Sequence, residues 1–139
     1  MLVCDTSALL AYFDGSDAHS AEVTTVIEAD PGPFVVSPYV VAELDYLLAT
    51  RRGVRAELAA LTELSGGAWE LPNIEQADLR EAGLVIERYQ DQNIGVADAS
   101  LVVLAARYGT DRVLTLDRRH FRVMRTTAGK PFTLLPEPG

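Results

Sequence analysis

Apolar and polar positions along this 139-residue chain switch repeatedly between two periods, and that switching predicts the fold. Short β-rich runs appear at Leu2–Cys4, Phe34–Val36, Ala68–Leu71, Val113–Leu116 and Phe132–Leu135. Between them, apolar residues recur at the three-to-four spacing of helices. A helix is predicted from Pro38: Ser37 can cap it, Pro38 suits its first turn, and Val40, Val41, Leu44, Leu47 and Leu48 form one stripe. Val54 to Leu64 repeats the pattern with Leu58, Leu61 and Leu64, and Gly66-Gly67 stops it. Leu79, Ala82, Ile86 and Tyr89 mark another helix. Val96 to Tyr108 is apolar on nearly every side after its first turn, which predicts a buried helix ended by Gly109. Nearer the start, Leu9, Leu10 and Phe13 predict a short helix closed by Asp14-Gly15, and Ala18 to Ala29 a further one capped by Ser16 or Asp17.

Strands alternating with helices imply the α/β class, with a parallel sheet covered on both faces and right-handed crossovers. In such folds ligands bind at the carboxyl ends of the strands, near a switch in strand order. The length and the 48% hydrophobic content suit one domain spanning residues 1–139. No uncharged apolar run approaches the roughly 18 residues of a membrane span, and no basic-then-apolar leader opens the chain. Cys4, the only cysteine, sits in an apolar run and reads as a core residue. It excludes an intrachain disulfide, and a reducing, cytoplasmic setting is expected.

The net charge of −8 argues against a broad nucleic-acid-binding face. Its distribution changes the picture. Residues 1 to 50 hold eight acids and no Lys or Arg, whereas 118 to 130 hold Arg118, Arg119, Arg122, Arg125 and Lys130 with no acid. A locally basic segment can grip a phosphate chain or serve as a solvated surface.

Four acids stand out, three of them at helix starts on the side of the sheet where an α/β site would lie. Asp5 follows the first strand, Asp117 follows a later one in "RVLTLDRRHF", Asp98 lies in the first turn of the buried helix, and Glu43 lies in the second turn of the Ser37-capped helix. Singly, Asp5 and Asp117 read as helix caps and Asp98 as a partner of a helix dipole. Glu43 borders an apolar stripe with no nearby base, where an unpaired carboxylate is costly. Asp45 is read as solvent-facing or supporting. If all four converge, their repulsion raises pKa values unless a cation intervenes. Hard oxygen ligands select Mg²⁺ or Mn²⁺ over Zn²⁺, and His19 and His120 make no zinc spacing. His120 reads first as a surface or packing residue, with substrate contact as the lesser alternative. An open Mg²⁺ site can activate water against a phosphodiester. There is no Gly-rich phosphate loop, no Gly-x-Ser-x-Gly elbow and no second Asp two residues after Asp5, where Ser7 stands.

"DTSALLAYF", "SPYVVAEL", "VADASLVVLAARYG" and "VLTLDRRHFRVMR" together resemble the PIN-domain ribonucleases, most of all the VapC toxins of bacterial toxin–antitoxin pairs. The resemblance covers essentially the whole chain. It implies a three-layer α/β/α sandwich around a mainly parallel sheet of four to five strands, and Mg²⁺- or Mn²⁺-dependent endoribonuclease activity. By position, Asp5, Glu43, Asp98 and Asp117 would form the metal-binding, catalytic pocket, with Ser7 and Thr6 as supporting hydroxyls. Arg118, Arg119 and Arg122, directly after Asp117, would contact neighbouring RNA phosphates. The resemblance also implies a homodimer and a VapB-type antitoxin lying over the groove, where an antitoxin Arg would suit the acids. The competing expectations are a DNA-directed PIN-like nuclease and a non-catalytic binding module.

Overall fold

A computed structural model describes residues 1–137. Four short strands, β1 (Leu2–Cys4), β2 (Phe34–Val35), β3 (Arg112–Leu114) and β4 (Thr133–Leu135), form one sheet in the order β2-β1-β3-β4. Every neighbouring pair is parallel, with Val3 opposite both Val35 and Val113, and Val113 opposite Leu134. Seven helices cross between the strands: α1 (Thr6–Phe13), α2 (Ser20–Ala29), α3 (Pro38–Arg52), α4 (Val54–Leu64), α5 (Gln76–Arg88), α6 (Val96–Tyr108) and α7 (Arg119–Val123). This is the α/β sandwich with a four-stranded parallel sheet. Among the described residues no helix is long and apolar enough to cross a membrane.

The predicted strand at Ala68–Leu71 shrinks to one bridge. Glu70 pairs with the β2 edge, its N–H donating to the Phe34 carbonyl and its carbonyl accepting from the Val36 N–H, both at 2.9 Å. Gly66-Gly67 before it and Pro72, which lacks an N–H, after it leave no room for a ladder.

Helix starts follow from capping chemistry. Ser37 Oγ accepts the Tyr39 N–H and Pro38 occupies the first turn, as the sequence predicts. The second helix begins at Ser20, later than the predicted Ala18. The Ser16 hydroxyl is taken by Asp14 at 2.6 Å, and Asp17 Oδ1 instead accepts the His19 N–H at 2.7 Å, spending that carboxylate on the preceding turn. Gly109 takes the left-handed conformation (φ 64°) that ends α6.

β1 is wholly buried, and α6 packs on it with Leu101 and Leu104 fully enclosed. α3 sends Val40, Leu44 and Leu48 into the same core and leans on α1, α4 and α6. Two predicted core positions are not core: Leu58 of α4 and Leu79 of α5 are about half exposed, at 57% and 49%. On α4 Leu64 is buried beside Ala60, and on α5 Ala82 is buried with Ile86 half-buried, so the predicted stripes do meet the core and only their first leucines lie outside it.

The order β2-β1-β3 contains the strand-order switch. The chain leaves β1 to one side toward β2 and returns on the other side at β3, so the crevice at the carboxyl ends of β1 and β3 is where a ligand site belongs.

Candidate active site

Asp5 is the first residue beyond β1, and its N–H still donates to the Leu114 carbonyl at 2.8 Å, so sheet pairing holds the backbone up to the carboxylate. Asp5 stands at the N-cap position of α1, yet its side chain caps nothing. Oδ2 instead accepts two hydroxyls, Thr115 Oγ1 at 2.7 Å and Ser7 Oγ at 2.9 Å. The capping explanation of Asp5 therefore fails. Burial pushes the Asp5 carboxyl up to about 6; the two hydroxyl bonds oppose the rise, and the charge of Asp98 adds to it.

Thr115 and Ser7 also lock the neighbouring strand end. The Leu116 and Asp117 N–H groups donate to Ser7 Oγ at 2.9 and 3.2 Å, and the Asp117 N–H also donates to Thr115 Oγ1 at 3.1 Å. One small polar network thus fixes the loops after β1 and β3 against each other. Asp117 is not the cap of α7, since Arg118 holds that position.

Asp98 lies in the first turn of α6, as predicted, but the dipole is not its only partner. Its Oδ2 meets His120 Nδ1 at 3.0 Å. Burial raises the Asp98 carboxyl above its ordinary range; His120 opposes this, while Glu43 and Asp117 add to it. Glu43 is exposed and needs no buried partner, contrary to the expectation from its apolar neighbours. The reason is helical phase. Val40, Leu44 and Leu48 face the core, while Tyr39, Glu43 and Leu47, each one position earlier, and Arg51, one turn further on, line a cleft. Asp45 turns away toward α4, where its contact with Glu57 holds the Glu57 carboxyl above its usual range.

All four sequence-predicted carboxylates, Asp5, Glu43, Asp98 and Asp117, line that one cleft of about 460 Å³, together with Thr6, Ser7 and the first turn of α6. The supporting residues divide. Ser7 makes the hydroxyl contacts foreseen for it. The Thr6 hydroxyl does not: it is buried and without a hydrogen-bond partner among the described residues.

The arginines divide too. Arg118 points its guanidinium away, donating to the Pro136 carbonyl at 2.6 Å, so it is a structural tie rather than a free phosphate contact. Arg119 is 84% exposed at the rim, 3.6 Å from Asp117 Oδ1. Arg122 is exposed on α7 and does not line the cleft. Two contributors, Thr115 and Arg51, escaped the sequence reading, and His120 was read there chiefly as a surface or packing residue rather than as the partner of Asp98. The step-of-four spacing from Tyr39 through Glu43 to Arg51 was the available signal for Arg51. Nothing local in the sequence marks His120 as the partner of Asp98, which lies 22 residues away.

The donor set is entirely of hard oxygens, and burial, with charge repulsion added to it, raises the carboxyls of Asp5 and Asp98. Both features fit a hard cation that keeps water ligands. So does the orphaned Thr6 hydroxyl at the cleft wall. Among the described residues no three such groups stand close enough to make a closed ligand cage, so any ion here would rely on water for part of its shell.

Residues 2–125 match the family model described as "PIN domain". The chain belongs to the PIN domain family. This PIN domain is 56% identical over 135 residues to Ribonuclease VapC26 of Mycobacterium tuberculosis, covering 97% of this chain and 100% of the relative. Its fold is similar to that of VapC20 from the same organism, described as a Sarcin-Ricin loop cleaving toxin, with a TM-score of 0.80 at 20% identity over 86% of this chain and 92% of that one. A toxin–antitoxin complex from Klebsiella pneumoniae matches with a TM-score of 0.69 at 18% identity, covering 89% of this PIN domain and 92% of that chain. FitAcB from Neisseria gonorrhoeae matches with a TM-score of 0.58 at 16% identity, covering 85% and 88%.

Proposed function

We propose that this chain, as one PIN domain over residues 1–139, is a metal-dependent endoribonuclease and the toxin of a VapBC-type toxin–antitoxin pair. The observation that carries the reading is the meeting of Asp5, Glu43, Asp98 and Asp117 in one cleft at the strand-order switch. The 56% identical relative is named a ribonuclease, and two fold neighbours are described as a toxin and a toxin–antitoxin complex.

Asp5, Glu43, Asp98 and Asp117 would hold Mg²⁺, with Mn²⁺ as a substitute. When bound, such an ion supplies positive charge at the scissile phosphate and lowers the pKa of an attacking water. The chain's own residues prepare the site. Thr115 and Ser7 both donate to Oδ2 of Asp5, which fixes the plane of that carboxylate. His120 does the same for Asp98 through Oδ2. Burial first, and charge repulsion after it, raises the carboxyls of Asp5 and Asp98, and a bound cation would favour their ionised forms. A small antitoxin carrying a cationic side chain would compete for the same acids, and a cytoplasmic homodimer is the assembly this reading entails.

The test is cleavage of total RNA by the purified chain with Mg²⁺, with Mn²⁺ and with chelator, beside Asp5→Asn and Asp98→Asn. Cleavage only by the unaltered chain with metal is the expected result. Cleavage that persists in chelator or in both variants sinks the metal-carboxylate reading, and no cleavage under any condition returns the chain to the binding-module class.

A further inference from the structure

We infer that Arg51, at the end of α3, is the residue that grips the RNA backbone beside the cut, contacting a phosphate that flanks the scissile one. The inference rests on the endoribonuclease reading and deepens it.

Among the described residues Arg51 is the one cationic side chain lining the acidic cleft. The arginines that sequence proximity nominated are tied to a carbonyl, paired at the rim or outside the cleft. Arg51 and Arg52 both sit in the last turn of α3, where positive charge complements the helix dipole, but their roles separate. Arg52 reaches Asp14 at the end of α1, with Nε 3.6 Å from Oδ1. That contact ties the end of α3 to α1. Arg51, the next position around the helix, is left facing the cleft with no hydrogen bond or ion pair of its own among the described residues.

Its distance from the acids defines its task. Glu43 and Arg51 are eight residues apart on one helix stripe, about 12 Å along the axis. Leu47 lies between them as an apolar floor. A phosphate held among the carboxylates is therefore out of line with Arg51, and an adjoining phosphate of the same strand lies toward it. The planar guanidinium binds phosphate in a forked, two-bond geometry that a lysine lacks. A chain of net charge −8 otherwise repels RNA, so one cation at the cleft wall supplies attraction where the strand must enter.

A residue that binds a flanking phosphate acts on substrate affinity more than on the chemical step. The experiment uses the full chain and a short single-stranded RNA that it cleaves, measured across salt concentrations with Arg51→Ala, Arg51→Lys and, as a distant charge control, Arg88→Ala on α5. Arg51→Ala is expected to raise KM about tenfold, to leave kcat unchanged, and to flatten the log–log salt slope by about 0.7. Arg51→Lys should keep the slope and part of the affinity, and Arg88→Ala should behave like the unaltered chain. Unchanged KM and slope in Arg51→Ala overturns the inference, as does a loss of kcat at constant KM. Binding of the same RNA to Asp5→Asn and to Asp5→Asn/Arg51→Ala, followed by fluorescence anisotropy, reads Arg51 without cleavage. A weaker double variant supports the inference even where no cleavage is found, and equal affinities overturn it.

Discussion

Asp5→Asn should make the metal-free protein more stable while removing a carboxylate from the cleft. In the folded chain the Asp5 carboxyl is raised to about 6 from an ordinary 3.8, chiefly by burial. That gap corresponds to about 3 kcal/mol. The sign follows from proton binding. Between pH 3.8 and about 6 the native state holds the Asp5 proton more tightly than the unfolded chain, so stability falls as pH rises through that window and stays reduced above it. Asparagine resembles the protonated acid in size and charge. Both hydroxyl bonds go to the same oxygen, so an amide oxygen placed there keeps Thr115 and Ser7 as donors. The variant should therefore match the parent near pH 4 and exceed it by up to about 3 kcal/mol at pH 8. For a chain of this length that is a rise in Tm of roughly 6–12 °C. Urea unfolding in chelator, followed by the fluorescence of Trp69, the only tryptophan, measures the difference at each pH. Added Mg²⁺ should stabilise the parent by mass action and the variant less, narrowing the gap. A stability difference that does not change between pH 4 and pH 8, or a variant less stable at pH 8, would refute the claim that Asp5 is held ionised against its surroundings.

Thr115→Val keeps the shape of a fully buried side chain but removes the shortest hydroxyl bond to Asp5, so it should cost about 1.5–3 kcal/mol at pH 8. The same change should move the pH window of the Asp5 effect upward, which repeated unfolding curves would detect. Arg118→Ala should lose about 1 kcal/mol from the broken bond to the Pro136 carbonyl. It should leave the salt dependence of RNA cleavage unchanged, in contrast to Arg51→Ala. Leu104→Ala, at a position with no exposure on the α6 face over the sheet, should lose about 2–5 kcal/mol in denaturant unfolding.

Most of the element order was legible because its signals are local. Ser37-Pro38 starts α3, Gly109 ends α6, and the apolar run of α6 reports a helix enclosed on nearly all sides. The grouping of Asp5, Glu43, Asp98 and Asp117 was legible for a less local reason. In a parallel sheet every strand points its carboxyl end the same way, so acids just beyond strands and at helix starts gather on one side. The misreadings were of another kind. Leu58 and Leu79 carried the helical period but face outward, because period does not say how far along a helix its apolar stripe stays covered by a neighbour. Ala68–Leu71 had strand composition, but flanking glycines and a proline limited it to one bridge.

By itself, then, the order of residues determined the alternation of strands and helices, where most helices begin and end, and that four acids lie at one end of a parallel sheet. Only the tertiary structure decided what each polar group touches. Thr115 meets Asp5 across 110 positions of sequence and His120 meets Asp98 across 22, while Arg118 turns to Pro136 and leaves the cleft to Arg51. The physical reason is reach. Capping and periodicity act within about one or two turns of chain, whereas a carboxylate's pKa and partners are set by whatever side chains the packed fold brings within a few ångströms.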